Sequence, residues 1–176
     1  FGPVLHVVRY AREELDGLMA QINATGYGLT MGLHTRIDET IGQVVSRARV
    51  GNLYINRNMV GAVVGVQPFG GEGLSGTGPK TGGPLYMYRL LAARPGDVLA
   101  RAADCGLPGS VPEGPAQIPS TAFTALAAWM EQHRSRGLAA QCRELARRAG
   151  GRQARVLAGP TGERNTLVLR GRGVFA

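Results

Sequence analysis

Cysteine is scarce in this 176-residue chain, which has only two. That is too few for a disulfide framework, and the surroundings of Cys105 and Cys142 are those of reduced cytosolic thiols. Aromatic residues make up 6% and tryptophan occurs once. No apolar run approaches the ~20 residues of a membrane span. The start lacks the basic stretch followed by an apolar one that marks a secretory signal. At 18% charged and 44% hydrophobic, the chain is neither disordered nor fibrous. Lysine is nearly missing as well: of twenty basic residues, only Lys80 is a lysine.

Glycine and positive charge are in excess. Glycine accounts for 27 residues, about twice ordinary usage. The net charge of +8 is uneven, with +2 in residues 1–92 and +6 in residues 93–176. Such a balance raises nucleic-acid binding as a function. Wholesale arginine for lysine, with abundant alanine and glycine, instead fits a GC-rich genome. Arginines 134, 136, 143, 147 and 148 read as a solvated helix face, and no nucleic-acid partner is expected.

Residues 4–10 are β-branched and aromatic enough to predict a buried strand. Leu15, Leu18, Met19 and Ile22 repeat at helical spacing behind an acidic first turn, and Gly26 supplies a stop. Leu29 to Thr35 predicts a second strand. Asp38 is placed to cap a helix carrying Ile41, Val44, Val45 and Ala48, with Gly51 ending it. Asn52 to Asn56 predicts a third strand. This order implies a parallel βαβαβ sheet, whose ligands ordinarily bind beyond the carboxyl ends of the strands. The long loop of residues 57–83 leaves from that end. Pro84 opens a predicted helix over 85–93. Prolines 108, 112, 115 and 119 mark a linker. A helix follows from a possible Ser120 cap, with Leu126, Trp129, Met130 and His133 on one stripe. Gly137 is expected to break it before a stripe of Leu138, Cys142, Leu145 and Ala149. Strands Ala154–Ala158 and Thr166–Leu169 flank a turn at 159–165. The fold class is therefore α/β, divided as residues 1–95, a linker over 96–120, and a smaller α/β region over 121–176.

Nine of the 27 glycines fall between residues 59 and 84. Gly71, Gly73 and Gly76 spell G-x-G-x-x-G, but they follow Pro68-Phe69-Gly70 and run into more glycine and proline. The dinucleotide fingerprint needs a strand before it and a helix after it, so the match is accidental. Lys80-Thr81 imitates a phosphate loop, yet Pro79 stands where glycine belongs and removes an amide. What remains is a loop whose backbone approaches something closely, with Phe69 as one flat apolar wall. Tight packing against another domain explains it equally well. His6, His34 and His133 show no ligand spacing with Cys105 or Cys142, so no metal site is expected. Neither cysteine has a base partner in view.

Phe1-Gly2-Pro3-Val4 resembles the second part of the E-x-F-G-P-V segment of aldehyde dehydrogenases. Gly51 to Asn56, Gln67-Pro68-Phe69-Gly70-Gly71 and Ser75-Gly76 are similar to that family's C-terminal signature. The run from Asn56 to Gly71, then Gly82-Gly83-Pro84, most resembles the L-glutamate γ-semialdehyde dehydrogenase part of the bacterial proline utilization A family. Tyr86 to Pro95 and the turn at 159–165 resemble its C-terminal region.

The resemblance implies a cofactor contact from Phe1, which matches a phenylalanine near the nicotinamide ribose of NAD. It implies that Gly61 and Ala62 hold the substrate α-carboxylate through backbone amides, with Phe69 as the wall around the aliphatic chain. It places the nucleophilic cysteine and general-base glutamate upstream of residue 1, so no catalytic residue is expected here. The chain is then an internal piece of a longer cytoplasmic bacterial enzyme, inactive by itself. The parent would oxidise the semialdehyde formed from 1-pyrroline-5-carboxylate, carry FAD in another domain and form a homo-oligomer. Membrane association of the parent stays open. The alternative is a non-catalytic interaction or oligomerisation module built on an aldehyde-dehydrogenase-like remnant.

Overall fold

In the computed structural model, the described residues are 2–93, 95–96, 111–112, 121–133, 135–148 and 153–169. They fall into two units. One holds residues up to 62 together with 69–81, and the other holds 63–68 and the chain from 82 onward.

The first unit is built on helix α1 (Leu15–Ala24), strand β1 (Thr30–Leu33), helix α2 (Asp38–Arg47) and strand β2 (Asn52–Ile55). β1 and β2 pair in parallel, with Met31 opposite Leu53 and Leu33 opposite Ile55. Strand side chains alternate between faces. Met31, Leu33 and Leu53 therefore share one face, and they pack with Leu15 and Met19 of α1, with Val44 of α2 and with Ala48 just beyond it. Asp16 ties the helices together through an ion pair to Arg47 at 2.8 Å and a hydrogen bond from Gln43. Asp38 does not cap α2. It is the first helical residue, and Ile37 stands at the cap without a side-chain bond. Thr35 Oγ1 accepts from the Ile37 amide at 3.2 Å, so the entry is fixed one turn earlier.

The strand expected at 4–10 does not form. These residues are exposed, with Leu5 at 86%, and make no ladder among the described residues. β propensity expresses itself only against a partner strand and a packed face; the described residues supply neither.

In the second unit, residues 85–93 form only a 3₁₀ turn at Met87–Leu90 rather than a helix. Met87, Leu90 and Leu91 are exposed. Without a packed face, so short a helix is marginal in water. Helices α3 (Thr121–Gln132) and α4 (Arg136–Arg148) pack together, and strands β3 (Val111–Pro112), β4 (Gln153–Leu157) and β5 (Asn165–Leu169) form an antiparallel sheet in that order. α3 ends at Gln132 and α4 begins at Arg136, so Gly137 does not part them. The Ser135 amide reaches back to the Met130 carbonyl at 2.9 Å, and the Ser135 carbonyl accepts from Ala139 at 3.0 Å. Gly137 sits inside the first turn of α4.

The buried seam between α3 and α4 also differs from the expected stripe. Ala127, Ala139, Cys142 and Ala146 are buried, whereas Leu126, Trp129, Leu138 and Leu145 are largely exposed. Small side chains let the helix backbones close in, and the bulky residues turn outward. Cys142 is buried as expected, with its Sγ 3.7 Å from Met130 Sδ. Cys105, Ser120, Ala149 and most of the expected linker lie outside the described residues.

Candidate functional site

The sheet's second face carries Gly32 opposite Tyr54. A Cβ on Gly32 would sit 2.8 Å from Met59 Sδ, so the chain leaving β2 folds across this face. Arg57 lies over the Tyr54 ring, 5.2 Å from its centroid. The Tyr54 hydroxyl is buried without a well-formed hydrogen bond among the described residues. Burial pushes its pKa up, against the smaller opposing effects of Arg57 and neighbouring Asn52.

Asn56 turns the chain out of β2. Its φ is 56°, a left-handed value that asparagine tolerates better than most residues. Its carboxamide copies a step of ladder, accepting from the Thr35 amide at 3.0 Å and donating to the Thr35 carbonyl at 2.9 Å. The Asn56 amide itself donates to Leu33 at 2.8 Å.

Gly61 and Ala62 follow, both half-buried. The Val60 amide donates to Asn58 Oδ1 at 3.3 Å and the Val63 amide to Gln67 Oε1 at 2.9 Å. Between them, the Gly61 and Ala62 amides donate to nothing among the described residues. Open space surrounds the position where a Gly61 Cβ would stand. Two adjacent undonated amides beside a small-residue backbone suit an anionic oxygen.

The rest of the loop returns to the other end of the sheet. Phe69 and Thr81 exchange both backbone hydrogen bonds, at 3.0 and 2.9 Å. The Gly70 amide donates to Asn52 Oδ1 at 3.2 Å, at the start of β2. Lys80 Nζ donates to the Gly51 carbonyl, to Asn52 Oδ1 at 3.0 Å and to the Gly70 carbonyl at 2.7 Å. The Gly28 carbonyl accepts from both Gly51 and Glu72 at 2.9 Å, while Leu74 and Ser75 donate to Gly26 and Tyr27. A Cβ on Gly51 would overlap the Gly70 carbonyl. The close approach read from the glycines is thus backbone against backbone over this stretch.

The loop therefore divides: residues 57–62 stay at the carboxyl end of β2, and 69–81 brace its amino end. Gly61 and Ala62 are adjacent in one strip of backbone. Phe69 is half-buried and sits on the returning stretch, with no hydrogen bond joining it to them among the described residues. Phe1 lies outside the described residues. Among those residues no three His, Cys, Asp or Glu gather as a metal site. No helix there is long and apolar enough to cross a membrane.

Sequence motifs do not mark Lys80, Gln67 or Asn165 as structural anchors. The isolation of Lys80 as the sole lysine is the signal for it in the sequence. Gln67 and Asn165 are 98 positions apart, and no local pattern links them.

Residues 1–93 match the model of the aldehyde dehydrogenase family, and the chain belongs to that family. It is 58% identical over 178 residues to the bifunctional protein PutA of Klebsiella aerogenes, covering 96% of this chain and 13% of that protein. The bifunctional protein PutA of Rhizobium meliloti is 51% identical over 177 residues, or 98% of this chain and 13% of that protein. The 1-pyrroline-5-carboxylate dehydrogenase of Bacillus subtilis is 42% identical over 94 residues, covering 53% of this chain and 18% of that protein. A crystal structure of a Bradyrhizobium japonicum proline utilization A mutant is 64% identical, covering 49% of this chain and 9% of that one, with a TM-score of 0.47. The chain thus spans about one-eighth of the PutA proteins that it matches nearly from end to end.

Proposed function

We propose that the chain supplies the substrate-carboxylate anchor of an NAD-dependent, cytoplasmic dehydrogenase that oxidises L-glutamate γ-semialdehyde to L-glutamate. The observation that carries this reading is the pair of undonated amides at Gly61 and Ala62, flanked by amides that are already bonded. Relatives named PutA and 1-pyrroline-5-carboxylate dehydrogenase support the substrate class. The longer match to PutA than to the Bacillus enzyme supports a bifunctional parent with a flavin domain elsewhere. It also supports a division near residues 95 and 120, with an accessory region from 121.

In this reading, the two amides hold the α-carboxylate and so direct the aldehyde end away from the anchor. Phe69 contributes apolar contact along the aliphatic chain and excludes water. NAD would supply the hydride acceptor. Its contact from this chain would be Phe1, which lies outside the described residues. The nucleophile and base belong to other parts of the complete enzyme.

The test is Gly61→Pro in the complete enzyme, since proline removes one of the two donors. Loss of a hydrogen bond to a charged group is expected to raise KM for the semialdehyde at least about tenfold. Propionaldehyde, which has no α-carboxylate, should lose far less. An unchanged semialdehyde KM overturns the anchor. A second reading, as an interaction module, draws on the exposed apolar residues Val4, Leu5, Val7 and Val8; a complete protein that oxidises no aldehyde favours it.

A further inference from the structure

The turn at 63–67 lies inside the stretch that matches the family model, yet it groups with the chain from 82 onward. It is closed on itself. The Val63 carbonyl accepts from the Val66 amide at 3.1 Å and the Gln67 amide at 2.9 Å, with Gly65 at a φ of 79°. Gln67 Oε1 accepts from the Val63 amide at 2.9 Å. Its Nε2 donates out of the turn, to Asn165 Oδ1 at 2.9 Å and to Glu163 Oε2 at 3.3 Å. Both ends of this carboxamide are thus engaged, one within the turn and one on the β4–β5 hairpin.

That hairpin has a long connection. Asn165 pairs with Leu157 at the last step of the ladder. The connection over 158–164 exceeds the about two to five residues usual in hairpins, so closing it costs more chain entropy. Inside it, the Glu163 amide donates to the Pro160 carbonyl at 3.1 Å and Gly162 takes a φ of 87°. Gln67 then holds the exit of the connection at two side chains. Gly159 meets the same turn: a Cβ there would overlap Asn165 Nδ2 and stand 3.6 Å from Val66 Cγ1.

We propose that the 63–67 turn is the docking surface for the accessory region, and that the β4–β5 hairpin needs Gln67 to stay closed. The bond from Val63 fixes the Gln67 carboxamide with its donors toward the hairpin, so little side-chain freedom is lost on docking. One of its two acceptors is a carboxylate, which makes the stronger kind of hydrogen bond. The accessory region is then joined to the family-matched stretch by a side-chain clasp as well as by the covalent chain. This docking holds whether or not the complete protein oxidises an aldehyde.

Reversing the polarity of the clasp tests it. Gln67→Glu keeps the acceptor for Val63 but sets a carboxylate against Glu163. Adding Glu163→Gln restores a donor–acceptor pair in the opposite sense. The readout is hydrogen–deuterium exchange of the complete protein, followed by mass spectrometry of peptides covering 153–169. Gln67→Glu is expected to speed exchange there about tenfold, as for one lost hydrogen bond to a charged group. Thr30–Leu33 and Asn52–Ile55 should stay within about twofold, because they belong to the other unit. The double variant Gln67→Glu/Glu163→Gln should return 153–169 to within about threefold of the parent. Glu163→Ala, at an exposed position, removes an acceptor without touching 63–67 and should speed exchange about threefold. Unchanged exchange over 153–169 in both Gln67→Glu and Glu163→Ala overturns the docking role. So does a rise that Glu163→Gln fails to reverse, or one equally large in β1 and β2.

Discussion

Lys80 holds three acceptors with three ammonium donors: the carbonyls of Gly51 and Gly70 and the side chain of Asn52. A compact ammonium satisfies that pyramid; the planar guanidinium of arginine does not. In a chain where every other basic residue is arginine, this geometry accounts for the exception. The composition itself therefore points to Lys80, which no motif does. Removing the ammonium leaves partly buried acceptors without a donor, and such losses run at about 1–3 kcal/mol each before relaxation. Lys80→Met is expected to destabilise the complete protein by about 3 kcal/mol, read from the midpoint of its denaturant transition. Lys80→Arg should fall short of the parent as well. Full stability in Lys80→Met would mean that the brace between β2 and the return loop contributes nothing. Gly51 teaches the same lesson. It was legible as a helix stop, but its stricter requirement is room for the Gly70 carbonyl, which only the folded loop reveals.

At the scale of elements, periodicity located α1, α2, β1 and β2 well, because each buries one face against the others. It failed where that condition failed. Among the described residues, 4–10 have strand composition without a partner strand, and 85–93 have helical composition without a packed face. Bulky residues do not mark the seam of α3 and α4, where Ala139 is fully buried and Trp129 is not. That the chain leaves β2 at its carboxyl end through Gly61 and Ala62 could be read from topology; the return of 69–81 to the opposite end of the sheet could not, since it depends on backbone contacts between glycines. The sheet's second face gives a pH prediction. Burial raises the Tyr54 pKa above its ordinary value of 10.0. The folded state thus binds this proton more tightly than the unfolded chain, and the associated stability is fully present below pH 10. It is lost as pH rises from 10 through the folded-state pKa. Tyr54→Phe should abolish this alkaline loss in thermal melts at high pH. At neutral pH it should change stability by less than about 1 kcal/mol, because the hydroxyl makes no well-formed bond there. Identical alkaline behaviour in parent and variant would assign the loss to other groups.

For the whole chain, the balance of buried and exposed apolar surface is the governing fact. Among the described residues, the buried apolar set is small, and half of it is alanine or cysteine. Val60 and Val64 are exposed above 90%, and Val4, Leu5, Val7 and Val8 form an extended apolar run. Exposed patches of this kind mark surfaces that other structure covers, and the matched PutA proteins are about eight times longer than their alignment with this chain. Expressed alone, the chain is therefore expected to bind a hydrophobic dye strongly and to be cut early by trypsin at Arg9 or Arg12. Both arginines are exposed and lie in or beside the unpaired run. Arg47 and Arg143 should be cut later, since each is in a helix and ion-paired, to Asp16 and Glu131 respectively. In the complete protein, the cuts at Arg9 and Arg12 should be suppressed under the same digestion. The decisive measurement is mass spectrometry of early fragments from both proteins. Survival of the isolated 176-residue chain, or equal early cutting in the complete protein, would show that the apolar run needs no cover from the remainder of the protein.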